Sequence, residues 1–224
     1  GGKIILDGID ITKLSARELN QIRRRIALAF QYPEQQIFET RVYDEVAFGP
    51  RNLGLDTGEV EKRVQKALID TGLNYDYFKN KETASLSSGE KRRVSLAGVL
   101  ALKAPYLLLD EPTAGLDFEG KEALINHLTD INCQYQTTIV LVSHDINQLV
   151  STCSRIIILH EGQLYLEGYP GDLLRNYAAL KACGIEVPTF QELIYRLNCR
   201  GWDLNDSISS LPEASREIGK KING

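Results

Sequence analysis

A chain of 224 residues with 43% hydrophobic and 25% charged side chains has the make-up of a globular protein, with material for one large domain or two modest ones. Lys and Arg number 26 against 30 Asp and Glu, and the resulting net charge of −4 excludes a protein whose main work is wrapping nucleic acid, leaving room only for a small basic site. The apolar runs, such as those at 26–30, 107–109 and 139–142, have strand length and fall far short of the roughly 18–20 residues a membrane span needs.

Mean hydropathy is −0.21, so any service to a membrane must come through docking to another protein. Cys133, Cys153, Cys183 and Cys199 are scattered and form no C-x-x-C pair. That spacing excludes a metal cage and, without a signal peptide, reads as reduced thiols. The sequence contains no Met, and Gly1-Gly2-Lys3 runs directly into apolar Ile4-Ile5-Leu6; the expected start of the protein therefore lies upstream of Gly1.

In chain order, residues 3–6 read as a short strand closing in a turn at Asp7-Gly8. Ser15-Ala16-Arg17-Glu18 has capping-box form and opens a basic helix that ends near Arg25. Residues 26–30 form an apolar strand that delivers Gln31 at its C-terminal end, before Tyr32-Pro33-Glu34 breaks it. Residues 40–102 are helical in pattern, with helices at 40–48, 58–71 and 88–102. Strands at 106–109, 137–142, 156–159 and 163–166 then alternate with helices at 119–128 and 146–152. Strands apolar throughout and separated by helices predict a mainly parallel sheet buried on both faces. Beyond Pro170 the pattern is helical and less regular, with turn signals at Gly184, Pro188 and Gly201.

Chemistry concentrates where these strands end. Leu107-Leu108-Leu109-Asp110-Glu111 carries two carboxylates to the C-terminal edge of a parallel sheet, where such folds bind ligands. Asp110 suits a hard Mg²⁺ ion, and Glu111 suits the orientation or deprotonation of a water molecule. The plainer alternative is a solvated strand-end pair. Ser87, Ser88 and Gly89 stand at the start of a long helix, whose free N–H groups and small side chains admit a phosphate; a simple serine cap is the alternative there. Asp117 sits in the loop after Pro112, and His144 follows a second strand, expected on the same sheet edge as Glu111. Gln31 ends a third strand at that edge, its amide within reach of both metal and water.

LSSGEKRR at 86–93, LLLDEPTAGLD at 107–117 and VSHD at 142–145, in this order, resemble the ABC-transporter ATPases. FQYPEQQIF at 30–38, VYDEVAFGP at 42–50, SLAGVL at 95–100 and GIEVP at 184–188 narrow the resemblance to the energy-coupling factor (cobalt/vitamin type) transporter ATPases. It covers essentially the whole chain. It implies an α/β fold of P-loop NTPase (RecA-like) type, with a parallel sheet core, an inserted α-helical subdomain and a small C-terminal helical appendage. The implied divisions are 1–39 for the start of the ATPase core, 40–102 for the helical signature subdomain, 103–172 for the RecA-like core and 173–224 for the appendage, a candidate dimerisation domain.

The resemblance also implies roles. Ser87, Ser88 and Gly89 contact the γ-phosphate of ATP held by a second ATPase subunit, in a homo- or heterodimer, and Asp117 is the D-loop Asp at the nucleotide. Asp110 and Gln31 serve Mg²⁺; Glu111, His144 and Gln31 serve catalysis. The implied partners are a transmembrane scaffold subunit and a substrate-binding membrane subunit, with no nucleic acid. The implied location is cytoplasmic, peripheral on the inner face of the cell membrane, with Ile37, Phe38 and Val42 lining either a docking groove or plain subdomain core.

One departure is large. No Gly-Lys pair is followed by Ser or Thr: Gly2-Lys3 precedes Ile, Gly120-Lys121 precedes Glu, and Gly219-Lys220 precedes Lys. Without that phosphate-cradling loop these 224 residues alone are expected neither to grip ATP tightly nor to hydrolyse it. Smaller departures are Ser88 for Gly, Glu90 for Gln, with its charge expected to point away from phosphate, and Phe118 for Pro. The competing readings are a soluble ABC ATPase outside transport and a degenerate partner that completes another chain's site.

Overall fold

A computed structural model describes residues 2–31, 33–205, 208 and 210–223. Tyr32, part of the motif that begins at Phe30, lies outside the described residues. Contacts divide the chain into two compact units, residues 1–142 and 143–224.

In the first unit, β1 (Ile5–Leu6) pairs antiparallel with β2 (Ile9–Asp10) around Asp7 and Gly8, whose φ angles are 48° and 80°. The turn is legible in Asp-Gly; a second strand of this length shows no period to read. Asp7 then anchors the hairpin, accepting from the Tyr106 hydroxyl and pairing with Arg25. Helix α1 (Ala16–Arg23) carries the expected capping box, with the Ser15 N–H donating to Glu18 at 2.8 Å.

Strand β3 (Ile26–Ala29) is followed by the helices α2 (Val42–Asn52), α3 (Thr57–Asp70), α4 (Tyr75–Phe78) and α5 (Ser88–Leu100). Next come β4 (Tyr106–Asp110), α6 (Phe118–Tyr135) and β5 (Thr138–Val142). The three strands form one parallel sheet in the order β3-β4-β5, with Ala29 opposite Leu109 and Asp110 opposite Val142. Helix α6 runs well past the expected end at residue 128, because Ile125 and Ile131 keep packing on the core; it stops at Gln136, whose φ is 53°.

The expectation of a sheet buried on both faces is overturned. Ala27, Ala29, Leu107 and Leu109 are buried beneath α2, α3, α5 and α6, whereas Leu28, Val140 and Val142 on the other face are 43–55% exposed. All four helices gather their apolar stripes on one side, so the period-two alternation of β5 separates a covered face from an open one.

In the second unit, α7 (Ile146–Thr152) precedes an antiparallel hairpin of β6 (Ile156–His160) and β7 (Gln163–Gly168), turned at Glu161 and Gly162. These two strands pair with each other and so do not extend the parallel order. Four helices follow: α8 (Pro170–Leu174), α9 (Tyr177–Ala182), α10 (Thr189–Asn198) and α11 (Leu211–Asn223). Ile194, Leu204, Ile208 and Ala214 form a small core of their own. No helix among the described residues is long and apolar enough to cross a membrane.

Candidate functional site

Strand β4 ends at Asp110, and the chain turns at once: Glu111 adopts φ 48°, a left-handed conformation that costs a glutamate about 1–3 kcal/mol. Two bonds hold it there. The Glu111 N–H donates to the Val142 carbonyl at the end of β5, at 2.9 Å, and the Glu111 carbonyl accepts from Arg92 Nη2 at 2.6 Å. The same Arg92 nitrogen donates to the Gln31 carbonyl at 3.0 Å. One guanidinium on α5 thereby joins Gln31, two residues past β3, to Glu111, the residue after β4, through their main-chain carbonyls.

The loop from Glu111 to Asp117 is a run of tight turns. Ala114 N–H donates to the Glu111 carbonyl at 3.1 Å and Leu116 N–H to the Thr113 carbonyl at 3.2 Å. Gly115 takes φ 74° beside Arg92, where a side chain would be strained. Asp117 caps α6 through a 2.9 Å bond from the Gly120 N–H; a Cβ on residue 120 would meet that carboxylate at 2.7 Å and push it aside.

Ser87 and Ser88 are exposed at the start of α5, with Gly89 half-buried beside them. Glu90 is engaged within its own helix start. Its carboxylate closes on Ser87, accepting from the backbone N–H at 2.8 Å and the hydroxyl at 2.9 Å, a full capping box. Those bonds, the backbone N–H first and the hydroxyl second, hold the Glu90 carboxyl below the usual range. Because the folded value is the depressed one, the cap's contribution is complete above the ordinary glutamate value near 4.5 and disappears as pH falls through the folded value. Calorimetry of this protein and its Glu90→Gln variant should give a Tm difference that is constant near neutrality and narrows at acid pH. A difference unchanged down to acid pH contradicts this.

His144 lies two residues beyond β5, at the start of the second unit. The suggested docking trio splits. Val42 is fully buried and Ile37 packs on the core, while Phe38 is 61% exposed and meets Phe48 edge-on at 4.7 Å. Glu45 shapes this surface by accepting from the N–H groups of Phe38 and Glu39 at 3.1 and 2.9 Å. Arg92 escaped the sequence reading because Lys91-Arg92-Arg93 resembles an ordinary solvated charge run. A Leu-flanked helix packed on several sides was the available signal, since one of its charges must then point inward.

A profile of the ABC transporter family matches residues 1–114. This chain belongs to that family. The energy-coupling factor transporter ATP-binding protein EcfA2 of Clostridium tetani is 37% identical over 222 residues, covering 99% of this chain and 77% of the relative, which places the chain in the energy-coupling factor branch of ABC ATPases. Among solved structures, cbiO1 from Clostridium perfringens, part of the ABC transporter complex cbiONQ, matches with a TM-score of 0.69 at 33% identity, covering 87% of this chain and 76% of that one. The dimeric ATP-binding cassette MJ0796 bound to ADP and Pi matches with a TM-score of 0.68 at 30% identity, covering 76% and 74%. The P-loop NTPase α/β fold read from the sequence is therefore the fold of this ABC ATPase.

Proposed function

We propose that this chain is the ATP-binding and ATP-hydrolysing subunit of an energy-coupling factor importer for a vitamin or metal ion, the cargo being chosen by another subunit. The observation that carries the reading is the placement of Glu111: a strained residue at the C-terminal end of β4, held by Val142 and Arg92, with Gln31 drawn to the same guanidinium.

In this reading Glu111 accepts the proton of the attacking water and Gln31 orients that water. Asp110 and Gln31 would hold Mg²⁺. A hard carboxylate oxygen and an amide oxygen are the donor types that ion takes. An ion held by these residues would neutralise charge on the phosphates. Ser87, Ser88 and Gly89 receive the γ-phosphate of ATP held by a second ATPase subunit, and Glu90 must release the Ser87 hydroxyl for this to happen. Asp117 sets the loop beside the nucleotide, and His144 serves the γ-phosphate. The exposed Phe38–Phe48 pair supplies the contact to a transmembrane scaffold subunit, which holds the chain peripherally at the cytoplasmic face of the membrane.

The test is reconstitution of the full-length subunit in vesicles with its ATPase partner, scaffold and substrate-binding membrane subunits. ATP-dependent accumulation of labelled vitamin or cobalt ion, with phosphate release, is the expected result. Phosphate release without uptake, accompanied by salt-sensitive DNA binding, would revive a soluble ABC ATPase. Absence of hydrolysis by the assembled complex would favour a degenerate partner.

A further inference from the structure

Arg92 is 8% exposed and forms no ion pair among the described residues. Its charge rests on two backbone carbonyls, those of Gln31 and Glu111, both reached from Nη2. A buried guanidinium without a carboxylate partner is costly, and two carbonyl acceptors offset only part of that cost while its Nε stays unpaired. Local rules are broken in this way mainly where a site demands it.

The two carbonyls are not arbitrary. They belong to residues just past the ends of β3 and β4, and α5 begins at Ser88, four residues before Arg92, or about 6 Å along the helix. Building on the site reading above, we propose that Arg92 is a positioning residue for hydrolysis. It fixes the backbone of Gln31 and Glu111 at one spacing, and it ties that spacing to the helix whose first residues face the partner subunit's nucleotide. Movement of α5 on engaging that nucleotide is thereby passed to the water-activating pair of the same chain. Arg92 touches neither nucleotide nor water itself.

The experiment compares Arg92→Met and Arg92→Lys in the full-length subunit within its assembled complex, with Glu111→Gln as reference. Methionine keeps the stem and removes the donors. Lysine offers several hydrogens from one nitrogen, as Nη2 does. Misplacing the pair should lower kcat about 10–100-fold in Arg92→Met, with KM for ATP within about twofold. Arg92→Lys should recover most of the lost rate. Hydrolysis by Arg92→Met at the parent rate overturns the proposal, as does an Arg92→Lys variant as slow as Arg92→Met. A rise in KM alone, or failure of Arg92→Met to fold, also overturns it, because the residue would then serve binding or stability. If Glu111→Gln hydrolyses normally, the site reading itself falls; if only Arg92→Met does, the positioning role alone falls.

Discussion

Glu111→Gln in the full-length subunit, assembled with its partners, should lower kcat about 10²–10⁴-fold while ATP still binds. The amide keeps the size and backbone of the carboxylate but cannot accept a proton from water. Two anchors of this residue should persist: the bonds from Arg92 to the Glu111 carbonyl and from the Glu111 N–H to Val142 involve only main-chain atoms of residue 111. The strain at φ 48° is likewise a property of the backbone and persists in the variant. Phosphate release under saturating ATP, measured beside equilibrium nucleotide binding, separates the two effects. A rate close to the parent's would remove Glu111 from catalysis, and equal loss of binding would mark it as a ligand contact.

Leu109→Ala should cost about 2–5 kcal/mol of stability, roughly 5–20 °C in Tm for a chain of this size. Leu109 is 1% exposed in the central strand of the sheet, within the core built by α2, α3, α5 and α6, so truncation leaves a cavity that rigid neighbours on several sides cannot close. Ile69→Ala is the control: that side chain is 55% exposed on α3, and its loss should change stability by about 0.5 kcal/mol or less. Because Leu109 immediately precedes Asp110 and Glu111, its truncation should also slow hydrolysis at temperatures where the protein remains folded. Equal melting shifts in the two variants would mean that β4 is not the centre of the core.

What was legible in the sequence was local or chemical. Ser15 and Glu18 announce a helix start because the bonds of a capping box span only three residues. Asp7 and Gly8 announce a turn because few residues tolerate positive φ. The carboxylates after Leu109 are conspicuous because a buried strand ends in charge. Less legible was anything that depends on which elements meet. Val42 and Phe38 are equally apolar, yet one is sealed in the core and the other lies on the surface, a difference set by how α2 packs on α5. Thr129 and Asp130 suggest a helix end, but burial of Ile125 and Ile131 carries α6 through them.

By itself, then, the sequence determined the family, the α/β order of elements and the residue types poised for nucleotide chemistry, because these depend on side-chain chemistry at short spacing. Tertiary structure alone decided three things. It placed four helices on one face of the sheet and left Leu28, Val140 and Val142 open, it turned Glu90 back onto Ser87, and it drew Arg92 inward to bind Gln31 and Glu111 together. Gln31 and Arg92 are 61 residues apart in the chain, and a hydrogen bond across that distance leaves no periodicity in the sequence to read.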